Sequence, residues 1–292
     1  MGSDDHHDHG PHRSDDPRYT ETWYWNLVDP QTRCVVTLHC SWLPALGRGQ
    51  HTMGVLTPQG TRRERVDTTS PLSSEVASVD IVEPWARARI RSTMMDVDIE
   101  WNAFHPAVDF GAVLHMSPDI QLDHFEGGGR GHGRIMRRHV SGSGFRDRSF
   151  GPRNMRGWGR HWAICVEGLG TDLFLAFNSV CTGESTYVEA PNHFVGCMWK
   201  DGVPRLYQQT AVMHRHRDGS PMWAILPDGI EITLDLRHSF GDQRHIFDPN
   251  SGPTTDGTTE PVYGTRDYYL VMHSPQLGPL VGFFEEGALW VT

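Results

Sequence analysis

The sequence predicts an all-β fold, sandwich or barrel, on three observations. Short runs rich in β-branched and aromatic residues recur along the chain, tight-turn signals separate them, and no window of eleven or more residues repeats its apolar positions every 3.6 residues between caps. The runs are Trp23 to Val28, Cys34 to Cys40, Arg87 to Ile90, Asp96 to Trp101, Trp162 to Val166, Leu173 to Phe177, Glu231 to Leu236, Tyr268 to Met272 and Leu289 to Val291. Each is expected to be a strand, because such side chains pack well on a pleated, half-buried surface. The turns are Thr57-Pro58-Gln59-Gly60, Lys200-Asp201-Gly202, Arg217-Asp218-Gly219 and Pro227-Asp228-Gly229. Asp-Gly favours hairpins because both residues tolerate positive φ. With 31 glycines and 19 prolines, about one residue in six is a turn former, against about 12% in an ordinary globular chain. One short helix is expected at Ser70 to Ala77. The stretch from Glu126 to Gly133, near the midpoint, is expected to be a flexible joint or hairpin between two halves. Neither a GK[ST] triplet nor a helix signal follows it, so it does not read as a phosphate-binding loop.

Composition narrows the function. The formal charge of −10 argues against a chain built as a whole to bind nucleic acid or anionic lipid. No apolar run reaches the roughly 18 to 20 residues of a membrane-spanning helix, so stable membrane insertion is not expected. The first sixteen residues, rich in histidine and aspartate, have neither the basic start nor the apolar core of a signal peptide and are expected to form a disordered tail. Cys34, Cys40, Cys165, Cys181 and Cys197 are odd in number and include no CxxC pair, which reads as buried free thiols in a reducing, cytoplasmic setting. Lys200 is the only lysine. Nine arginines lie between Arg130 and Arg160 against a single acid, Asp147; the expected role of these arginines is a solvated strand face rather than a nucleic-acid or diphosphate surface. His214-Arg215-His216 has an i, i+2 spacing but no carboxylate cluster beside it, and no metal or other cofactor is expected.

Asp147 carries the chemistry. If Phe145 to Phe150 is extended, the period of two places Phe145, Asp147 and Ser149 on one face and Arg146, Arg148 and Phe150 on the other. Two outcomes stay open for the carboxyl. Kept dry and away from cations, it stays protonated as a general acid. Reached by a neighbouring arginine, it is an ionised structural pair. Tryptophan faces stabilise cations, so a chamber of aromatic rings with one acid suits protonation of an alkene.

The segment Phe145-Arg146-Asp147-Arg148-Ser149-Phe150-Gly151-Pro152-Arg153 resembles the G-x-RDHSWG-x-R signature of the carotenoid-hydratase/AttH-like double-lipocalin proteins, a group related to tocopherol cyclase. Pro17 to Trp25 resembles that group's opening, and His124-Phe125-Glu126 its approach to the signature. The sequence departs from the pattern at Arg148, often His, and at Phe150, often Trp, so the motif lacks its imidazole next to Asp147. The resemblance implies two packed antiparallel lipocalin-like (calycin) β-domains with little helix. The expected boundaries are a tail at 1–16, an N-terminal β-domain at 17–128 and a C-terminal β-domain at 129–292.

The resemblance further implies an acid-catalysed lyase or isomerase (hydratase, dehydratase or cyclase) without cofactor, acting on a hydrophobic isoprenoid or polycyclic small molecule. Asp147 protonates an alkene or a leaving hydroxyl, Glu126 shares its proton and Arg153 orients it. Trp101, Trp158, Trp162 and Phe145 line the substrate site, and His124 and His161 serve as relays. The competing reading is a lipocalin-like binding protein for a hydrophobic small molecule that performs no chemistry, since fold alone does not establish function.

Overall fold

A computed structural model of the chain describes residues 8, 10–110, 115–117, 120–152, 158–182, 193–209, 211–246 and 262–290. Its contacts divide the chain into two compact units, Met1–Arg153 and Asn154–Thr292. The first unit holds β1 (Tyr19–Asp29), β2 (Cys34–Leu43), β3 (Arg48–Thr57), β4 (Gly60–Thr68), β5 (Ser78–Glu83), β6 (Arg87–Ser92), β7 (Val97–Ala103), β8 (Val108–Asp109), β9 (His115–Ser117), β10 (Ile120–Gln121), β11 (Asp123–Ile135) and β12 (Arg138–Pro152). The second holds β13 (Trp158–Gly168), β14 (Leu173–Thr182), β15 (His193–Lys200), β16 (Val203–Tyr207), β17 (Val212–Arg215), β18 (Pro221–Ile225), β19 (Glu231–Thr233), β20 (Gly241–Ile246), β21 (Val262–Ser274) and β22 (Gly278–Trp290). The protein is all-β, with each unit a curled antiparallel sheet of the calycin type. No helix among the described residues is long and apolar enough to cross a membrane.

The two sheets repeat one topology. The first runs β4-β3-β2-β1-β12-β11-β7-β6-β5 with β8 on β11; the second runs β16-β15-β14-β13-β22-β21-β19-β18-β17 with β20 on β21. In each, the opening strand of the unit pairs with its closing strand at the middle of the sheet. The hairpin of β9 and β10 has no counterpart in the second order. The division falls after Arg153 rather than at 128/129, because β11 and β12 pair along their whole length and β12 also pairs with β1.

Each unit has its own core. In the first, Trp23, Trp25, Leu38, Met53, Ile99 and Trp101 converge on the inner face; in the second, Trp162, Leu175, Phe177, Ile232 and Phe284 do so. The glycines from Gly127 to Gly133 lie within β11 and form neither a joint nor a hairpin. They make room: a Cβ on Gly129 would stand 2.5 Å from the Trp101 ring, one on Gly144 of β12 2.7 Å from its Nε1, and one on Gly131 2.6 Å from Leu27. The actual β11–β12 turn is Met136-Arg137, both at positive φ (47° and 66°). Neither residue type signals that conformation.

Ser70 to Ala77 is not helical. The Ser74 hydroxyl accepts the Val76 and Ala77 amides, while His51 binds both Ser74 Oγ and Pro71 O at 2.9 Å. Side-chain bonding thus replaces the i→i−4 ladder. The described part of the tail is also placed: the Asp8 side chain is buried and His12 stacks on Phe150 with centroids 4.2 Å apart. Cys34, Cys40, Cys165 and Cys197 are buried free thiols, and burial raises the pKa of Cys40.

Two stability tests follow from this packing. Gly144→Ala is expected to cost about 1–3 kcal/mol in urea unfolding. Gly127→Ala, whose Cβ meets only Ala107 Cα at 4.0 Å, is expected to cost less than half as much. Replacing Met136-Arg137 by Asn-Gly is expected to stabilise the protein by about 1 kcal/mol, because Asn-Gly suits the left-handed turn.

Candidate active site

Register assembles the site from three neighbouring strands. Asp147 on β12 lies between Tyr24 of β1 and Glu126 of β11, and Ser149 lies between Thr22 and His124. Side chains directly across antiparallel strands share a face, so Thr22, Tyr24, His124, Glu126, Asp147 and Ser149 form one polar patch. The extended segment therefore carries Phe145, Asp147 and Ser149 together, as its alternation predicts. Strands β1 and β2 are buried on both faces nearly throughout, which keeps this patch from open water.

The patch contains a compact acid–imidazole cluster. His124 Nε2 stands 2.7 Å from Glu126 Oε1 and 3.8 Å from Asp147 Oδ2. The Glu126 side chain is 2% exposed and that of Asp147 22%, so Asp147 is the most accessible of the three. Ser149 Oγ and Thr22 Oγ1 share a 2.6 Å hydrogen bond behind it. Aromatic rings frame the cluster: Phe110 lies 5.7 Å from the His124 ring, and Tyr24 lies 6.0 Å from Phe145. Among the described residues these three form a group whose nitrogen and oxygen atoms lie within 4.8 Å of one another, close enough to suggest a metal site. The 2.7 Å contact is nevertheless a direct hydrogen bond. Two ligands of a tetrahedral zinc, each about 2.0–2.2 Å from it, stand about 3.3 Å apart. As arranged, the cluster suits proton sharing better than metal binding.

Both arginines flanking Asp147 have a carboxylate partner elsewhere, and Arg146 also interacts electrostatically with Asp147. Arg146 pairs with Asp8 and Arg148 with Glu21, both on the opposite face. The Arg146 guanidinium carbon lies 5.1 Å from the Trp25 ring, 5.2 Å from Trp85 and 5.9 Å from Trp101. Arg148 lies 3.8 Å from Trp23. Of the nine arginines expected on a solvated face, these two are instead fully buried; Arg134, Arg137 and Arg138 are exposed. Position 148 points away from Asp147, so an imidazole there would not touch it. The imidazole that does approach comes from His124 on the adjacent strand.

The expected substrate-lining residues separate. Phe145 stays with Asp147. Trp101 lies on the inner face, 1% exposed, across Gly129 and Gly144, and cannot stabilise a cation beside Asp147. Trp162 is a core residue of the second unit, packed on Phe194. His161, in that unit as well, is buried with Nε2 2.5 Å from Glu285 Oε1. The Trp158 side chain and the whole of Arg153 lie outside the described residues. Sequence reading missed Tyr24 and Thr22, because pairing across 123 and 127 positions leaves no local signal, and Phe110, which packs on His124 from outside the paired strands.

His105 supports the cluster from behind. Its Nδ1–H donates to Pro106 O at 2.7 Å, and its Nε2 accepts the Gly128 amide at 2.9 Å, which anchors β11 two residues beyond Glu126. Burial pushes its pKa down to about 4, only partly offset by the Pro106 carbonyl.

A family model described as a domain of unknown function, DUF7064, matches residues 2–235. The chain belongs to the DUF7064 family. No curated protein matches this DUF7064 chain. Among solved structures it is similar to a candidate AttH from Nitrosomonas europaea, with TM-score 0.63, 11% identity, and coverage of 95% of this chain and 94% of that one. It is similar also to CghA (0.60, 10%, 94% and 89%) and to kievitone hydratase from Nectria haematococca (0.54, 9%, 92% and 88%). These likenesses give the DUF7064 chain the fold of the carotenoid-hydratase-like double-lipocalin group.

The depressed His105 pKa sets a pH dependence. Between pH 6.5 and about 4 the unfolded chain binds a proton that the folded chain refuses. Stability is therefore full above pH 6.5 and falls as pH drops through that window, by up to about 3 kcal/mol from this group. His105→Gln is expected to flatten the pH dependence of the urea midpoint by up to one proton. An unchanged slope would show that His105 is not held neutral.

Proposed function

We propose that this chain is a cofactor-independent hydratase, dehydratase or cyclase that acts on a hydrophobic natural product, with Asp147 as the proton donor. The observation that carries the reading is the cluster itself: two carboxyls and one imidazole in mutual reach on a sheltered, aromatic-edged face, with the arginines turned away. A group of this kind holds and redistributes a proton among its members. One of the similar structures is a kievitone hydratase, and CghA has been crystallised with Sch210972. Both point to small organic molecules as substrates.

In this mechanism the Asp147 carboxylic acid gives its proton to an alkene carbon, leaving a carbocation and the Asp147 carboxylate. Water adds to the cation and returns a proton to Asp147, which completes hydration. In the reverse direction Asp147 protonates a hydroxyl, water leaves, and the Asp147 carboxylate takes a carbon-bound proton to form the alkene. Attack by a second double bond in place of water closes the ring and moves the cation, which then loses a carbon-bound proton to the Asp147 carboxylate, giving the cyclised alkene. Tyr24 and Phe145 present rings on the face where positive charge develops. His124 Nε2, bonded to Glu126 at rest, exchanges that partner for Asp147 Oδ2 by a shift of about 1 Å and so passes a proton between the two carboxyls.

The test incubates the full chain with an apolar metabolite extract and follows by mass spectrometry products that gain or lose one water, or isomers. Asp147→Asn is expected to fold with an unchanged melting temperature and to lose about 10²–10⁴-fold in rate. His124→Gln is expected to slow the reaction less. Full turnover by folded Asp147→Asn would remove the acid role.

A further inference from the structure

The inner face of β12 holds a second arrangement, distinct from the Asp147 cluster. The Arg146 side chain is 3% exposed, and only one of its three nitrogens, Nη2, meets an acceptor, a carboxylate oxygen of Asp8. Its Nε and Nη1 have no acceptor in the protein, and neither do the indole N–H groups of Trp25, Trp85 and Trp101 around it. A small recess opens here, lined by Trp85, Trp101, His105, Phe125, Glu126 and Arg146 among others. Five buried donors thus gather around the Asp8 carboxylate, with Glu126 at the edge of the recess, and buried donors normally find partners. Burial acts against the charge on Arg146, and Asp8 acts for it. An arginine nonetheless stays protonated, so the site requires an anion.

Asp8 supplies that anion from a chain segment rather than from the barrel wall. Its second oxygen accepts the Trp85 amide at 2.6 Å. Four residues further on, the His12 ring covers Phe150, and the His12 amide donates to Glu21 at 2.5 Å. Beneath this cover Trp85, Phe125 and Phe150 form an apolar cluster of their own, with Trp85 and Phe125 centroids 4.9 Å apart. Withdrawal of Asp8 and His12 would leave the Arg146 guanidinium open beside this aromatic floor.

We propose that this face of the first unit is a binding site for an apolar organic carboxylate, whose head pairs with Arg146 and whose body lies on Trp85, Phe125 and Phe150, and that Asp8 occupies the head position when the site is empty. The occupant acts as an intramolecular competitor, so the apparent affinity for an external acid is reduced by the fraction of time Asp8 is docked. The site borders the Asp147 cluster at Glu126, but its head group, Arg146, lies on the opposite side of the sheet from Asp147.

The test titrates the full chain with 2-naphthylacetate and, as the uncharged comparison, 2-naphthylacetamide, read by tryptophan fluorescence and calorimetry. Asp8→Ala is expected to bind the carboxylate about ten-fold or more tightly than the unmodified chain. In that background Arg146→Met is expected to lose about ten- to a hundred-fold, with the amide weak throughout. Equal binding of acid and amide by Asp8→Ala, or no gain over the unmodified chain, overturns the proposal. Where Arg146→Met does not fold, the Asp8→Ala comparison decides alone. Asp147→Asn is expected to leave these affinities unchanged, which separates this result from the catalytic one.

Discussion

Two guanidinium groups withdrawn from water determine much of the first unit. Arg146 and Arg148 lie inside an aromatic interior, where an unpaired charge is prohibitive and a paired one still costs several kcal/mol before its hydrogen bonds are counted. Each therefore requires a carboxylate. Glu21 answers Arg148 from β1, and Asp8 answers Arg146 from upstream of the first strand. Because side chains alternate, anchoring 146 and 148 inward turns Asp147 outward. A slip of one residue would exchange the faces and bury the acid while exposing both arginines.

The outward face gains its chemistry from register rather than from any single strand. Tyr24, Asp147 and Glu126 come from three strands and meet because β1, β12 and β11 pair without a break along this stretch. The glycines opposite one another in β11 and β12 let Trp101 lie flat against the inner side. Rigid strands hold acid and imidazole more accurately than loops do, and positioning of that kind is what general acid catalysis demands.

Topology is repeated while chemistry is not. The second unit traces the same strand order, and its central strands carry a buried polar set too, in which Asp267 accepts from Tyr269 and His161 meets Glu285. Yet among the described residues only the first unit brings a histidine and two carboxylates within 4.8 Å of one another; in the second, His161 meets Glu285 with Asp267 across from it. A shared scaffold has thus been given different side chains, in keeping with function residing in sites rather than folds.

The strands, the Asp-Gly hairpins and the common face of Phe145, Asp147 and Ser149 are readable from the chain because they depend on residues next to one another. Period-two alternation and the tolerance of glycine for positive φ operate within a few positions. The β11–β12 turn escaped that reading: Met136-Arg137 adopts a conformation its residue types disfavour, and the nearby glycines serve packing instead. Trp101 likewise looks like a cation stabiliser until the pleat assigns it to the other side of the sheet. Tertiary structure alone decided that His124 reaches Asp147, that Asp8 reaches Arg146 across 138 positions, and that both arginines face inward. Contacts of that range are set by sheet register and by the need to neutralise buried charge, which no local stretch of sequence records.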